Sequence, residues 1–292
     1  MKPYRMGFVG ASTDEVCYWL RDNIPKDIET IAIPFLGSGR SLSILATNGR
    51  IIESWDQQYL SRVIVEGIFQ ATEPTGNVTE PKMQKGYVYE TRCFPGIDER
   101  SAGLIDYIAA HGTLYEHAAL TTAIIRSTFR GRIAEWDENS TATTLWEKFQ
   151  KRLGVQLEYL NLPAEFTHHE GNFYDYDHVG RIKGYDLLVV DPPKIISSAD
   201  IYSTTFAKLN YAIGADPGSA ISFDKWTKYD YFGKVRKLLE TKSKYLTFEY
   251  TTGVQPTVDE IKVLLDQYGE LMVETRTKHR NRYDYVLLYD RR

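Results

Sequence analysis

The chain has 292 residues, 42% of them hydrophobic and 25% charged, with a net charge of -4. This composition excludes a disordered or low-complexity chain and fits one large domain, or one domain with an insertion. It also excludes a global basic field, so any nucleic-acid footprint has to be local.

The two cysteines, Cys17 and Cys93, have no metal-ligand spacing and suggest a reducing compartment, although two cysteines can also pair. Met1 to Arg5 lack the apolar stretch of a signal peptide. No run approaches the roughly 18 apolar residues of a membrane span. A cytoplasmic protein without membrane contact is therefore expected. The 21 tyrosines suit stacking surfaces and ordinary cores alike.

In chain order, Phe8-Val9-Gly10-Ala11-Ser12 precedes a helical pattern of Val16, Trp19, Leu20 and Ile24. Ser12 or Thr13 caps it and Pro25 closes it. Thr30 to Ile33 then reads as a short strand. It runs into Pro34-Phe35-Leu36-Gly37-Ser38-Gly39, with a helix from Ser41 to Ala46. Strand, Gly-x-Gly and helix is an arrangement that lets a ligand approach the backbone. The third glycine of a dinucleotide fingerprint is missing, and the turn is no Walker loop. Gly49 to Asp56 reads as a second strand ending in an acid. Asp56 lies roughly 20 residues past the turn, the spacing at which an acid reaches ribose hydroxyls. Trp55 beside it is a candidate to lie against an adenine, or simply a half-buried ring. Leu60, Val63, Ile64 and Ile68 form a helix face.

The middle, residues 71–164, opens with loop composition around Pro74 and Pro81. Gly86 to Phe94 reads as a Tyr-rich strand. Helical patterns follow at Ile105 to Ala110, at Leu120 to Ile125, and at Trp146, Phe149 and Leu153. Arg126, Arg130 and Arg132 cluster around Gly131 with Phe129 between them, which suits a phosphate track or a solvated face. His168 and His169 read as loop residues rather than metal ligands, because no further ligand stands at zinc spacing. No metal is expected.

Tyr185 to Val190 is an apolar, β-branched run that ends at Asp191-Pro192-Pro193-Lys194. Proline cannot donate to a ladder, so a buried strand stops at Asp191. A carboxylate and outward carbonyls at a strand's carboxyl end mark a ligand position in open α/β sheets, or merely an ordinary turn. Beyond it, Phe232 to Leu239 is helical, Lys244 to Tyr250 a strand, and Val258 to Tyr268 an amphipathic helix. Leu271 to Thr275 and Tyr283 to Tyr289 flank a basic tip containing Lys278 and Arg280, the pattern of a closing hairpin.

Taken together, Phe8 to Ser12, Pro34 to Gly39, Trp55-Asp56, and Asp191-Pro192-Pro193 resemble the Dam-like, α-class DNA adenine methyltransferases. The glycine turn and the Asp-Pro-Pro are the specific matches. Two positions depart: Ser12 stands where the family has lysine, and Lys194 where it has tyrosine. The resemblance implies a Rossmann-like class I methyltransferase sheet with helices on both faces and an antiparallel C-terminal hairpin. It implies a catalytic domain of residues 1–70 and 165–292. Residues 71–164 would be a largely helical target-recognition lobe. S-adenosylmethionine (SAM) is the implied cofactor, held by Gly10, Ala11, Pro34, Phe35, Gly37, Gly39, Trp55, Asp56, Asn172, Phe173 and Asp191. Asp191, Pro192, Pro193 and Lys194 would form the catalytic motif, with the Asp191 side chain and the Pro192 carbonyl accepting from a base amine. Tyr174 and Tyr176 are candidates to replace the missing stacking ring. DNA is the implied partner, touched by Arg126, Arg130, Arg132, Lys278 and Arg280, in a cytoplasmic, nucleoid-associated or phage-encoded setting. Two alternatives stay open. One is a catalytically degenerate DNA-binding subunit with a partner or a second copy. The other is methylation of RNA or of a modified base.

Overall fold

In a computed structural model, the structure describes residues 2–5, 13–129, 133, 135–171, 173, 184–193, 199–216, 227, 229–251, 256–279 and 282–292. Gly10, Ala11, Ser12, Arg130, Arg132, Asn172, Tyr174, Tyr176, Lys194 and Arg280 lie outside the described residues.

Helix α1 (Asp14–Asn23) begins where the Thr13 hydroxyl accepts from the Val16 N–H at 3.3 Å. Strand β1 (Thr30–Ile33) follows, then α2 (Arg40–Leu45) and β2 (Arg50–Asp56). Helix α3 (Tyr59–Ile64) runs on into a π turn, Val65–Phe69. Among the described residues, the long connection holds the α-helices α4 (Tyr87–Thr91), α5 (Glu99–His111), α6 (Leu114–Ser127) and α7 (Ala142–Gln156). After them come β3 (Ala164–Glu170), β4 (Tyr185–Val190), α8 (Ala199–Ala212) and α9 (Tyr231–Leu239). The chain finishes with β5 (Ser243–Thr251), α10 (Val258–Leu265), β6 (Glu270–His279) and β7 (Arg282–Asp290).

The seven strands form one sheet in the order β3-β2-β1-β4-β5-β7-β6. The first five pair in parallel, and β7 runs antiparallel to both β5 and β6. Alternation along the strands divides the apolar side chains between two faces. Ile31, Ile33, Ile52, Leu187 and Val189 pack on one side with α2, α3, α4–α8 and the end of α1. Ala32, Leu188, Val190, Leu246 and Phe248 pack on the other side with α9 and α10. Helices therefore cover both faces, as parallel strands require.

Two expectations are corrected here. Gly86 to Phe94 contains helix α4 rather than a strand. The Asp106 carboxylate, projecting from α5, accepts from Val88 N–H at 2.9 Å and Tyr89 N–H at 2.8 Å. Those are first-turn donors with no partner inside the helix, and a distant acid supplies the cap. His168 and His169 are not loop residues but lie on β3. Being adjacent in a strand they face opposite ways: His168 Nδ1 meets Ser54 Oγ at 3.1 Å, and His169 Nε2 meets Glu53 Oε1 at 2.8 Å.

Candidate active site

Strand order reverses direction between β1 and β4. From β1 the chain winds outward through β2 to β3, and from β4 it winds the other way to β5. That reversal opens a crevice at the carboxyl ends of the strands, where ligands bind in such sheets. Both sequence motifs end there: Pro34 to Gly39 follows β1, and Asp191-Pro192-Pro193 follows β4.

The glycine turn is tied to the neighbouring strand. Leu36 N–H donates to the Trp55 carbonyl at 3.0 Å, and Gly39 N–H to the Leu36 carbonyl at 3.1 Å. Asp56, at the end of β2, clamps the turn from the side. One of its oxygens accepts from Gly37 N–H at 2.7 Å and the other from Gln58 N–H at 2.9 Å. Ser61 Oγ donates to the Gly37 carbonyl at 3.0 Å, adding α3 to the clamp. Burial pushes the Asp56 carboxyl above its ordinary range; the backbone donors of Gly37, Gln58 and Gln57 pull it back only in part.

The two glycines do different things. Both take positive φ, +55° at Gly37 and +69° at Gly39. A Cβ on Gly37 would meet nothing within 4 Å, whereas one on Gly39 would lie 3.0 Å from Ile64 Cγ2 and 3.0 Å from Phe69 Cε2. Gly37 faces open space. Gly39 lets the turn sit directly on α3 and the π turn.

Trp55 and Phe173, both expected at the cofactor, pack against each other. Trp55 is 0% exposed, with its ring stacked on His169 (centroids 5.0 Å apart, planes at 20°) and edge-on to Phe173 at 4.8 Å. Phe173 is itself buried. Trp55 points to the α9 and α10 side of the sheet, so its flat faces are covered before any adenine arrives. Pro34 is buried and Phe35 half-buried, the latter against that same core.

At the end of β4, Asp191 and Pro193 are half-buried and Pro192 is buried. The field of Asp191 reaches two elements. It helps raise the Cys17 thiol of α1, where burial and Glu249 weigh more, and the Tyr231 phenol of α9, where burial and Tyr250 weigh more. Asp14 in the first turn of α1 pairs with Arg5 and Arg40, joining the N-terminal segment to the start of α2. Sequence reading missed Cys17, Ser61, Tyr231 and Glu249. Glu249 carried a weak signal, a lone acid in an apolar strand, but nothing local said which strand it would stand beside.

Among the described residues, no contact joins Arg126 or Lys278 to this crevice. Arg126 is exposed in the last turn of α6, where its carbonyl accepts from Lys148 Nζ at 3.0 Å. Lys278 is exposed on β6, the edge strand farthest from β3. Among the described residues, no group of three or more His, Cys, Asp or Glu side chains can hold a metal ion, and no helix is long and apolar enough to cross a membrane.

No protein-family model and no curated protein matches the chain. Among solved structures, it is similar to magnesium protoporphyrin IX methyltransferase from Synechocystis PCC 6803 with bound SAM. The TM-score is 0.41 and the identity 11%, over 99% of this chain and 88% of that one. The same enzyme with bound SAH gives a TM-score of 0.40 and 11% identity, over 96% and 81% of the two chains. By the order and direction of its own seven strands, with the antiparallel β7 between β5 and β6, the chain has the Rossmann-like sheet of class I methyltransferases.

Proposed function

We propose that the chain is a SAM-dependent methyltransferase acting on an exocyclic base amine, adenine N6 of DNA first among them. The observation that carries this reading is the juxtaposition at the switch point. An open glycine turn clamped by an acid stands at the end of β1, and Asp191-Pro192-Pro193 stands at the end of β4. The residues fit the cofactor. Gly37 leaves room for it to approach the backbone, and Asp56, fixed at the turn by the Gly37 and Gln58 N–H groups, is the acid that would stand at the ribose. When bound, SAM supplies an electrophilic methyl group on a sulfonium.

The protein's own part is positioning. Asp191 and the Pro192 carbonyl accept from the amine hydrogens and so turn the nitrogen lone pair toward the methyl group. The base has to leave its stack to reach them. Arg126 and Lys278, with Arg130, Arg132 and Arg280, supply the phosphate contacts on this reading.

A second reading is favoured by Lys194 at the position of the family's stacking ring: a DNA-binding subunit that keeps the fold without the reaction. SAM binding by calorimetry, with incorporation of labelled methyl into DNA and RNA, separates the two. The first reading expects binding and incorporation, both into adenine of DNA, with incorporation lost in Asp191→Ala. Binding without incorporation leaves the subunit reading. Incorporation only into RNA moves the substrate and keeps the chemistry.

A further inference from the structure

The pairing of β4 with β5 ends with Val190 opposite Phe248. Asp191 follows Val190 just past the end of β4, and Glu249 follows Phe248 within β5. Val190 and Phe248 both point into the core under α9 and α10, so strand alternation turns Glu249 to the other face. Its antiparallel partner on β7 is Val286, which packs against Val16 and Leu20 of α1. Cys17 follows Val16 and is fully buried. Two acids therefore stand at the carboxyl ends of adjacent strands, and the fields of both reach Cys17 of α1. Glu249 is only 7% exposed.

We propose that Glu249 is a positioning residue for the amine-methylating site, sharing one proton with Asp191 and so setting the form in which Asp191 meets the acceptor. The proposal rests on the methyltransferase reading and deepens it. Side by side, two carboxylates do not both ionise cheaply, and the pair keeps a proton that neither would keep alone. Burial of Glu249 adds to that preference. The Cys17 thiol is pushed up by burial first, then by Glu249, then by Asp191, as expected if both acids face one small volume.

The pairing has a chemical use. In the transfer, an N–C bond forms as the S–C bond breaks, and the S–C electron pair leaves on the sulfur. The amine nitrogen becomes cationic and must release a proton. Once its shared proton has gone to solvent, the ionised pair takes up the amine's proton more readily than an ordinary aspartate, and passes it on to solvent. The same pair opposes an acceptor that is itself a carboxylate and favours one whose charge becomes positive. The substrate class this selects is an uncharged amine.

Several groups surround this end of the sheet. Cys17 of α1 is buried there, the field of the exposed Glu15 reaches its thiol, and the Ser41 hydroxyl of α2 works to lower it. Tyr231 of α9 and Tyr250 of β5 lie in the core on the opposite face of the sheet, where the field of Asp191 still reaches Tyr231. From β7, Val286 is uncharged, and Asp284 is occupied by Thr251 Oγ1 at 2.7 Å.

The apoprotein tests the pairing without cofactor. Carbon-13 NMR of labelled Asp and Glu carboxyls, with Asp191 assigned by its loss in Asp191→Asn, gives the Asp191 midpoint. It is expected above the ordinary value of about 3.9 in the wild type. In Glu249→Gln it falls by about one unit or more, because the neighbouring negative charge is gone. The acid limb of the pH–rate profile moves down with it, a change that a merely structural glutamate would not produce. If Glu249→Gln does not fold, the Glu249 resonance in Asp191→Asn reads the same coupling from the other side. An Asp191 midpoint unchanged by Glu249→Gln, or a Glu249 midpoint unchanged by Asp191→Asn, overturns the proposal. Absence of SAM binding in the wild type, with the midpoint shift present, overturns the methyltransferase reading and leaves the shared proton established.

Discussion

Gly37 and Gly39 stand two residues apart in one turn, and alanine at each separates backbone strain from packing. Positive φ costs an L residue about 1–2 kcal/mol, and both positions pay it. At Gly39 the new methyl also lies 3.0 Å from Ile64 Cγ2 and 3.0 Å from Phe69 Cε2. Both atoms belong to a fully buried cluster and have little room to give. Overpacking there adds about 1–3 kcal/mol. Gly39→Ala is thus expected to lose about 2–5 kcal/mol of stability, and Gly37→Ala only about 1–2 kcal/mol. Ligand affinity should follow the opposite order. The Gly37 methyl projects into the open side of the turn, while the Gly39 methyl projects into the core. Urea denaturation gives the stabilities, and calorimetry on folded protein gives the SAM affinities. Equal destabilisation by the two variants would refute the packing account of Gly39. Undiminished SAM affinity in Gly37→Ala would remove the turn from the cofactor site.

Three further outcomes follow from the same structure. Burial works to raise the Asp186 carboxyl, but Lys244 at 2.7 Å and the N–H groups of Thr30 and Glu29 outweigh it and hold it at about 2. A depressed acid stabilises the fold above its unfolded pKa and loses that contribution as pH falls through the folded one. The wild type should therefore exceed Asp186→Asn by about 2 kcal/mol at pH 7, with the gap closing between about pH 4 and pH 2 in denaturant titrations. Trp55→Phe should lower stability and leave SAM affinity in calorimetry essentially unchanged, because the indole is fully buried and stacked on His169; a large loss of affinity would return Trp55 to the cofactor site. If Arg126 and Lys278 contact phosphates, Arg126→Ala with Lys278→Ala should lower the slope of log affinity against log salt by up to about two; an unchanged slope would make both ordinary surface residues.

Much of the architecture is legible in local pattern. The apolar run of Leu187 to Val190 and the prolines after it specify a buried strand and its stop, because proline has no N–H for the ladder. Thr257 with Glu260 specifies the start of α10, since the two side chains satisfy each other's backbone donors. The Gly-x-Gly turn between β1 and α2 and the final hairpin are local in the same sense. What tertiary structure decided is where distant segments meet. Gly86 to Thr91 has strand-forming tyrosines, yet Asp106 caps it into a helix from another element. Trp55 sits one residue before the candidate ribose acid, but strand alternation sends the two side chains to opposite faces, and His169 from β3 closes over the ring. Gly37 and Gly39 are indistinguishable in the motif; only Ile64 and Phe69 make one a packing glycine and leave the other open. Glu249 stands far along the chain from Asp191. That both stand at neighbouring strand ends depends on the register of β4 against β5, which backbone hydrogen bonding sets between strands and no local pattern encodes.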